Sequence, residues 1–349
     1  MINRFVWILV NCLFVFGASL AFGQADQPSS AAGPYQIART IPVGGDDSWD
    51  YVTIDEKGQT LYLTRVTHTL VVDIASGKTL GDIPGNTRNH GVALVPDLGR
   101  GFITDGDKGE VTVFDLKTYA VLGHIPAAPD ADGIIYDPST KKILVACGDD
   151  GSLLVISPDV DPANGKIDGK VDLAGKPEFL AADGKGIVYV NVSDKAEVVA
   201  VDIKAIKVVS RWSIAPGATS TGLSIDRDNG RLFVGCRNKH FIVLSTKDGS
   251  VLGDFPIGTG VDATVFDAGY GMASCGDGTL TIVKETSPGK FEVVQTLKTA
   301  ASARTMAVDH NTGKVYLAAA EMKAPVGGGR VQPVAGTYKI LVAEKAAGQ

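Results

Sequence analysis

One pattern recurs along this chain often enough to set its architecture. The segment Tyr51-Val52-Thr53-Ile54-Asp55, followed by a turn and Leu61-Tyr62-Leu63-Thr64, returns as Gly133-Ile134-Ile135-Tyr136-Asp137 with Ile143-Leu144-Val145-Ala146. It returns again around Asp183, Asp226, Asp267 and Asp309, and once more as Gly91-Val92-Ala93-Leu94-Val95 with Gly101-Phe102-Ile103-Thr104, where Val95 replaces the acid. The anchors 55, 95, 137, 183, 226, 267 and 309 are spaced 40, 42, 46, 43, 41 and 42 residues apart, which makes seven units. A repeat of this length is one supersecondary unit that buries its apolar face only against its neighbours.

Each unit continues with a third β-rich segment, such as Leu70-Val71-Val72-Asp73 or Val198-Val199-Ala200-Val201-Asp202, and then a fourth, such as Thr79-Leu80-Gly81-Asp82-Ile83-Pro84. Four short strands per unit, with no sustained 3.6-residue period, predict propeller blades rather than βα repeats. The 42 Gly and 16 Pro residues, one position in six, supply the turns that so many strands require. Closure is legible at the chain ends. Ile41-Pro42 stands one period before Ile83-Pro84 but has no blade of its own, while the last unit has strands at Arg304–Asp309, Val315–Ala319 and Tyr338–Val342 and lacks a fourth. Residues 36–42 are therefore expected to complete the last blade and remove two open sheet edges. The fold class expected is all-β, a seven-bladed propeller over residues 35–345 with four antiparallel strands per blade.

The second strands read Tyr62-Leu63-Thr64-Arg65, Phe102-Ile103-Thr104-Asp105, Tyr189-Val190-Asn191-Val192 and Phe233-Val234-Gly235-Cys236. In these the chain resembles the YncE-like family of exported propellers with YVTN repeats, although the final Asn of that pattern is not retained. The resemblance implies the seven-bladed fold and leaves activity open, because propellers serve as binders, lactonases and dehydrogenase subunits alike.

In a propeller the first strand of each blade lines the central channel. Five positions before each anchor stand Asp50, His90, Asp132, Glu178, Thr221, Asp262 and Arg304, which are expected to form one ring at the channel mouth. Its four carboxylates suit either a hard cation held through oxygens or a polar ligand with His90 and Arg304 as counter-groups. A solvated rim is the plainer alternative. Arg65, His68, Asp105, Asp107, Asp149, Asp150, Arg237, His240 and Asp277 fall in turns on the same face, where Gly and Asp are ordinary turn chemistry. Asp73, Asp115 and Asp202 are expected to cap turns on the opposite face. Residues 321–335 form a Gly/Pro-rich loop on the ring face, far longer than its counterparts, suited to a lid or a partner contact.

Residues 1–25 carry one basic residue, an apolar run from Phe5 to Phe22 and small residues at Gly23 and Ala25, as a cleaved secretory signal does. A flexible segment 26–34 and a tail 346–349 would flank the propeller. The expected location is periplasmic or extracellular, with no stable membrane insertion once the signal is cleaved. Arg4 is the only charged residue of the signal, so cleavage takes the formal charge from −6 to −7, which argues against nucleic acid as a partner. Cys147, Cys236 and Cys275 occupy one place in three repeats, as small buried residues at strand ends would.

No Ser-His-Asp order, H-E-x-x-H, phosphate loop or haem-attaching C-x-x-C-H is present, and no cofactor is implied beyond a divalent cation at the channel mouth. The chain therefore leans away from catalysis. It reads as a scaffold that binds a protein or a small polar ligand on the channel face through Asp50, His90, Asp132, Glu178, Asp262 and Arg304. The alternatives are a metal-dependent lactonase-like hydrolase and a non-catalytic propeller subunit of a redox enzyme complex.

Overall fold

The structure, a computed structural model, describes residues 33–324 and 331–346. The expected signal peptide, nearly all of segment 26–34, residues 347–349 and the centre of the long loop lie outside the described residues. Seven four-stranded antiparallel sheets follow one another around a ring, and the first strands of successive sheets contact one another all the way round. The first strands are Val52–Asp55, Asn89–Val95, Ala131–Asp137, Pro177–Ala182, Ser220–Asp226, Val261–Asp267 and Thr305–Asp309.

Burial follows from the wedge shape of a blade. The second and third strands are covered on both faces by neighbouring blades, so Thr60–Thr64 and Ser152–Ile156 are buried throughout and consist mainly of apolar and small residues. The fourth strand lies at the rim. In Thr79–Pro84 and Val121–Pro126 only Ile83 and Ile125 are fully buried. The Asp that ends most first strands caps the following turn. Asp55 Oδ1 accepts from the amides of Lys57 and Gly58, and Asp137, Asp226 and Asp309 do the same for their own turns. Asp73, Asp115 and Asp202 cap turns after third strands, as expected.

The last blade is built from both ends of the chain. Tyr35–Pro42 pairs antiparallel with Lys339–Lys345, from Tyr35 opposite Lys345 to Pro42 opposite Lys339, with a bulge between Ile37 and Arg39. Pro42 is tolerated because the strand is an outer edge. The third strand of this blade, expected at Tyr338–Val342, runs from Lys339 to Lys345, because it must reach the full length of the closing strand.

A clasp follows the closing strand. The amides of Val43 and Gly44 donate to Tyr338 O at 3.0 and 2.9 Å. Arg65, 1% exposed, donates to the carbonyls of Gly44, Asp47 and Ser48 at 3.1, 2.8 and 3.2 Å, and its guanidinium lies 4.0 Å over the Tyr338 ring. Burial of this charge is offset by three carbonyl acceptors and an aromatic face. Arg65, expected among solvated turn residues, is thus interior. The three cysteines end second strands, free and buried, with thiols pushed up to about 12 by burial, which leaves them unreactive at neutral pH.

Candidate functional site

All seven residues of the expected ring line one cavity of about 680 Å³ at one mouth of the channel. Position along the strand explains it: each precedes or begins the first strand of its blade, where the chain turns inward. The next residue in each blade is Tyr51, Gly91, Gly133, Phe179, Gly222, Ala263 or Thr305. Glycine is needed where inner strands approach closely. A Cβ at Gly133 would run into the carbonyl of Glu178 in the next blade, and one at Gly222 would lie 2.8 Å from Thr264 N. The two large residues at this level, Tyr51 and Phe179, reach across the channel and pack ring to ring at 5.1 Å. Tyr51 borders both the polar cavity and a second, apolar cavity of about 600 Å³ beneath it.

Among the described residues, the polar cavity is lined by eight carboxylates, from Asp46, Asp47, Asp50, Asp107, Asp130, Asp132, Glu178 and Asp262, against three guanidiniums and one imidazole. The charges are not arranged as an oxygen cage. Asp262 accepts from Arg304 Nε at 2.7 Å and from an Arg237 terminal nitrogen at 2.8 Å, and Arg304 also lies 5.6 Å over the Trp49 ring. Arg88 lies 3.0 Å from Asp130 and 3.5 Å from Asp107. Thr221 turns its hydroxyl to Val261 O at 2.8 Å. The four ring carboxylates expected to converge on one cation are thereby divided: two guanidiniums occupy Asp262, and Glu178 contacts Ser193 Oγ at 3.4 Å.

His90 joins the other two. Its Nδ1 is 2.5 Å from Asp50 Oδ2 and 3.6 Å from Asp132 Oδ1, with the His90 side chain 7% and the Asp132 side chain 15% exposed. Burial alone would lower the imidazole. The hydrogen bond that Nδ1 donates to Asp50 and the charges of Asp132 and Asp50 outweigh it and raise His90 to about 9. Asp132 is pushed well above the usual carboxylate range, first by burial and then by Asp50 and Glu178, with His90 opposing. Of the two contacts to His90, the one to Asp50 is the shorter. Glu178 is raised to about 7 by burial and by the charge of Asp262.

Sequence reasoning found the ring but missed Arg88 and Asp130. Both stand two residues before a ring position, on the incoming segment, and a second alignment column would have shown them. The turns between second and third strands hold these segments in place. Asp105, expected to do ordinary turn work, accepts from Thr87 N at 2.6 Å and Arg88 N at 3.2 Å, which aims Arg88 at the cavity. Asp194 holds Lys176 N at 2.6 Å and Asp277 holds Thr259 N at 2.6 Å in the same way. From the long loop, Val331 and Gln332 reach the cavity, so it lies on the ring face. Its described ends come together through the Met322–Pro333 bridge.

Fold and site thus define a seven-bladed propeller with an acidic cavity at one mouth of its channel. Among solved structures, the chain is similar to a protein described as Kuenenia stuttgartiensis hydrazine synthase, with a TM-score of 0.67 and 14% sequence identity, over 81% of this chain and 94% of that one. At that identity the likeness shows the fold. No protein-family model and no curated protein matches the chain.

Proposed function

We propose that this chain is an exported, YncE-like propeller that captures a small cationic solute in the acidic cavity. The observation that carries this reading is the charge balance of the cavity. Among the described residues, three guanidiniums pair with Asp107, Asp130 and Asp262, Glu178 forms no ion pair and Asp132 has only the longer contact to His90, so carboxylates outnumber the cationic groups that line the cavity. Glu178, raised to about 7, is a carboxyl that a bound cation would relieve. The repeats and the leader-like residues 1–25 support export and the family resemblance. The redox-subunit alternative rests on what propellers in general serve as and on no residue of this chain. A hydrolase would need a metal in the same cavity.

The test is thermal stabilisation by organic cations, with 1,4-diaminobutane, spermidine and choline as probes and citrate as the anionic control. A ligand that binds only the folded state at a hundred times its dissociation constant stabilises it by about 2.7 kcal/mol. A rise with at least one cation, reduced in Glu178→Gln, is expected. Stabilisation by citrate alone, or by no cation at millimolar concentration, would sink the reading.

A further inference from the structure

One corner of the cavity gathers donor atoms rather than ion pairs. A nitrogen of His90 and one oxygen each from Asp50 and Asp132 lie within 4.8 Å of one another. Among the described residues no guanidinium pairs with any of the three, because Arg237 and Arg304 are taken by Asp262 and Arg88 by Asp130 and Asp107. We propose that Asp50, His90 and Asp132 bind one first-row divalent transition ion, of the zinc or manganese kind, through His90 Nδ1 and one oxygen of each carboxylate.

Three observations support the assignment. The first is spacing. Metal bonds of about 2.0–2.2 Å to nitrogen and oxygen set donor atoms roughly 3–3.5 Å apart around one ion. The contacts from Nδ1, 2.5 Å to Asp50 and 3.6 Å to Asp132, bracket that range, and all three donor atoms lie within 4.8 Å of one another. The second is an unmet need. Asp132 Oδ1 is shut off from solvent and has no hydrogen-bond partner, and His90 Nδ1, on a side chain more than nine-tenths buried, stands 3.6 Å from it. A buried carboxylate oxygen that accepts no hydrogen bond is costly, and a metal ion beside it removes that cost. The third is the donor set. One imidazole and two carboxylates are too few oxygens for Ca²⁺, which takes six to eight, whereas imidazole nitrogen favours the transition series. Three protein ligands leave positions open toward the cavity, where water or a solute atom would complete the shell.

This site goes beyond the solute-binding reading, with which it shares only the cavity, and it is read by the metal alone. Chelator-stripped protein is titrated with ZnCl₂ by calorimetry and with MnCl₂ by electron paramagnetic resonance. One equivalent is expected, with affinity falling at least tenfold in Asp132→Asn and in His90→Gln and unchanged in Glu344→Gln on the outer surface. Asp132→Asn keeps the side-chain shape, so it still tests the site if His90→Gln does not fold. Co²⁺ loaded in place of zinc should show absorption bands of a nitrogen-ligated ion that vanish in His90→Gln. Binding of less than one equivalent, or binding that survives Asp132→Asn undiminished, overturns the proposal, as does Ca²⁺ binding more tightly than Zn²⁺. Stabilisation by a diamine without metal uptake would defeat this site alone, and metal uptake without any organic cation effect would defeat the solute reading alone.

Discussion

The two mouths of the channel are built from the same seven strands and end in opposite chemistry. At one, the residues around the starts of the first strands, with Asp107 and Arg237 from turns between second and third strands, supply eight carboxylates, three guanidiniums and an imidazole among the described residues. At the other, residues a few places further along, among them Ile54, Leu94, Ile135, Tyr136, Val265, Met306 and Val308, leave a mainly apolar cavity. Tyr51 and Phe179 stand between them. A blade repeat dictates backbone, so both mouths are equally regular. What differs is that side chains of the apolar mouth also pack the blade interfaces, whereas those of the polar mouth touch the core little and are free to carry function.

The largest effect should come from an alteration that destroys both mouths together. A chain beginning at Asp46 lacks the closing strand, so Lys339–Lys345 has an open edge. Its melting midpoint should fall by roughly 10 °C or more and its transition should lose cooperativity, as followed by circular dichroism. An unchanged melt would mean that neither mouth depends on ring closure.

Next comes the partition. Changing Tyr51 and Phe179 together to Ala should cost about 3 kcal/mol or more in denaturant unfolding and join the two cavities, seen as stronger fluorescence from an apolar dye. Equal dye binding before and after would show that the mouths are already continuous.

A smaller effect separates the mouths by pH. Glu178 has its folded value raised to about 7 from 4.5, so its ionisation opposes folding. The protein should lose stability from this group as pH rises from 4.5 to 7, and no further above that. Glu178→Gln should therefore be more stable than the parent by about 1–3 kcal/mol at pH 8 and equal to it below pH 4.5. A gain that is the same at both pH values would show that shape, not charge, is responsible. The smallest effect belongs to the wet edge of the acidic mouth. Asp107→Asn breaks a 3.5 Å contact between side chains that are 38% and 58% exposed. Stability should change by less than about 0.5 kcal/mol.

The blades and their closure could be seen in the sequence because a 42-residue spacing leaves little choice of topology, and the ring because its members share one column. Side-chain partners were less visible. That Asp262 belongs to Arg237 and Arg304 depends on which guanidinium is long enough to cross between blades, a distance that no single repeat encodes. Arg65 was misplaced because a charge in a turn suggests solvent, whereas here three carbonyls and Tyr338 enclose it. The partition escaped notice because Tyr51 and Phe179 look like ordinary strand residues until the small residues at the same level in the other blades are set beside them.

The clasp around Arg65 ties two events that lie at different places in the molecule. Its guanidinium holds the carbonyls of Gly44, Asp47 and Ser48, on the stretch that leads from the closing strand directly to Asp50. Parting of the chain ends therefore carries away one wall of the acidic cavity. Whatever settles on Asp50 becomes a weight against that parting, and by reciprocity a loosened clasp weakens the hold on the occupant by the same factor. The amides of Tyr35–Pro42 should then exchange with solvent more slowly when the cavity is filled, although no occupant touches them.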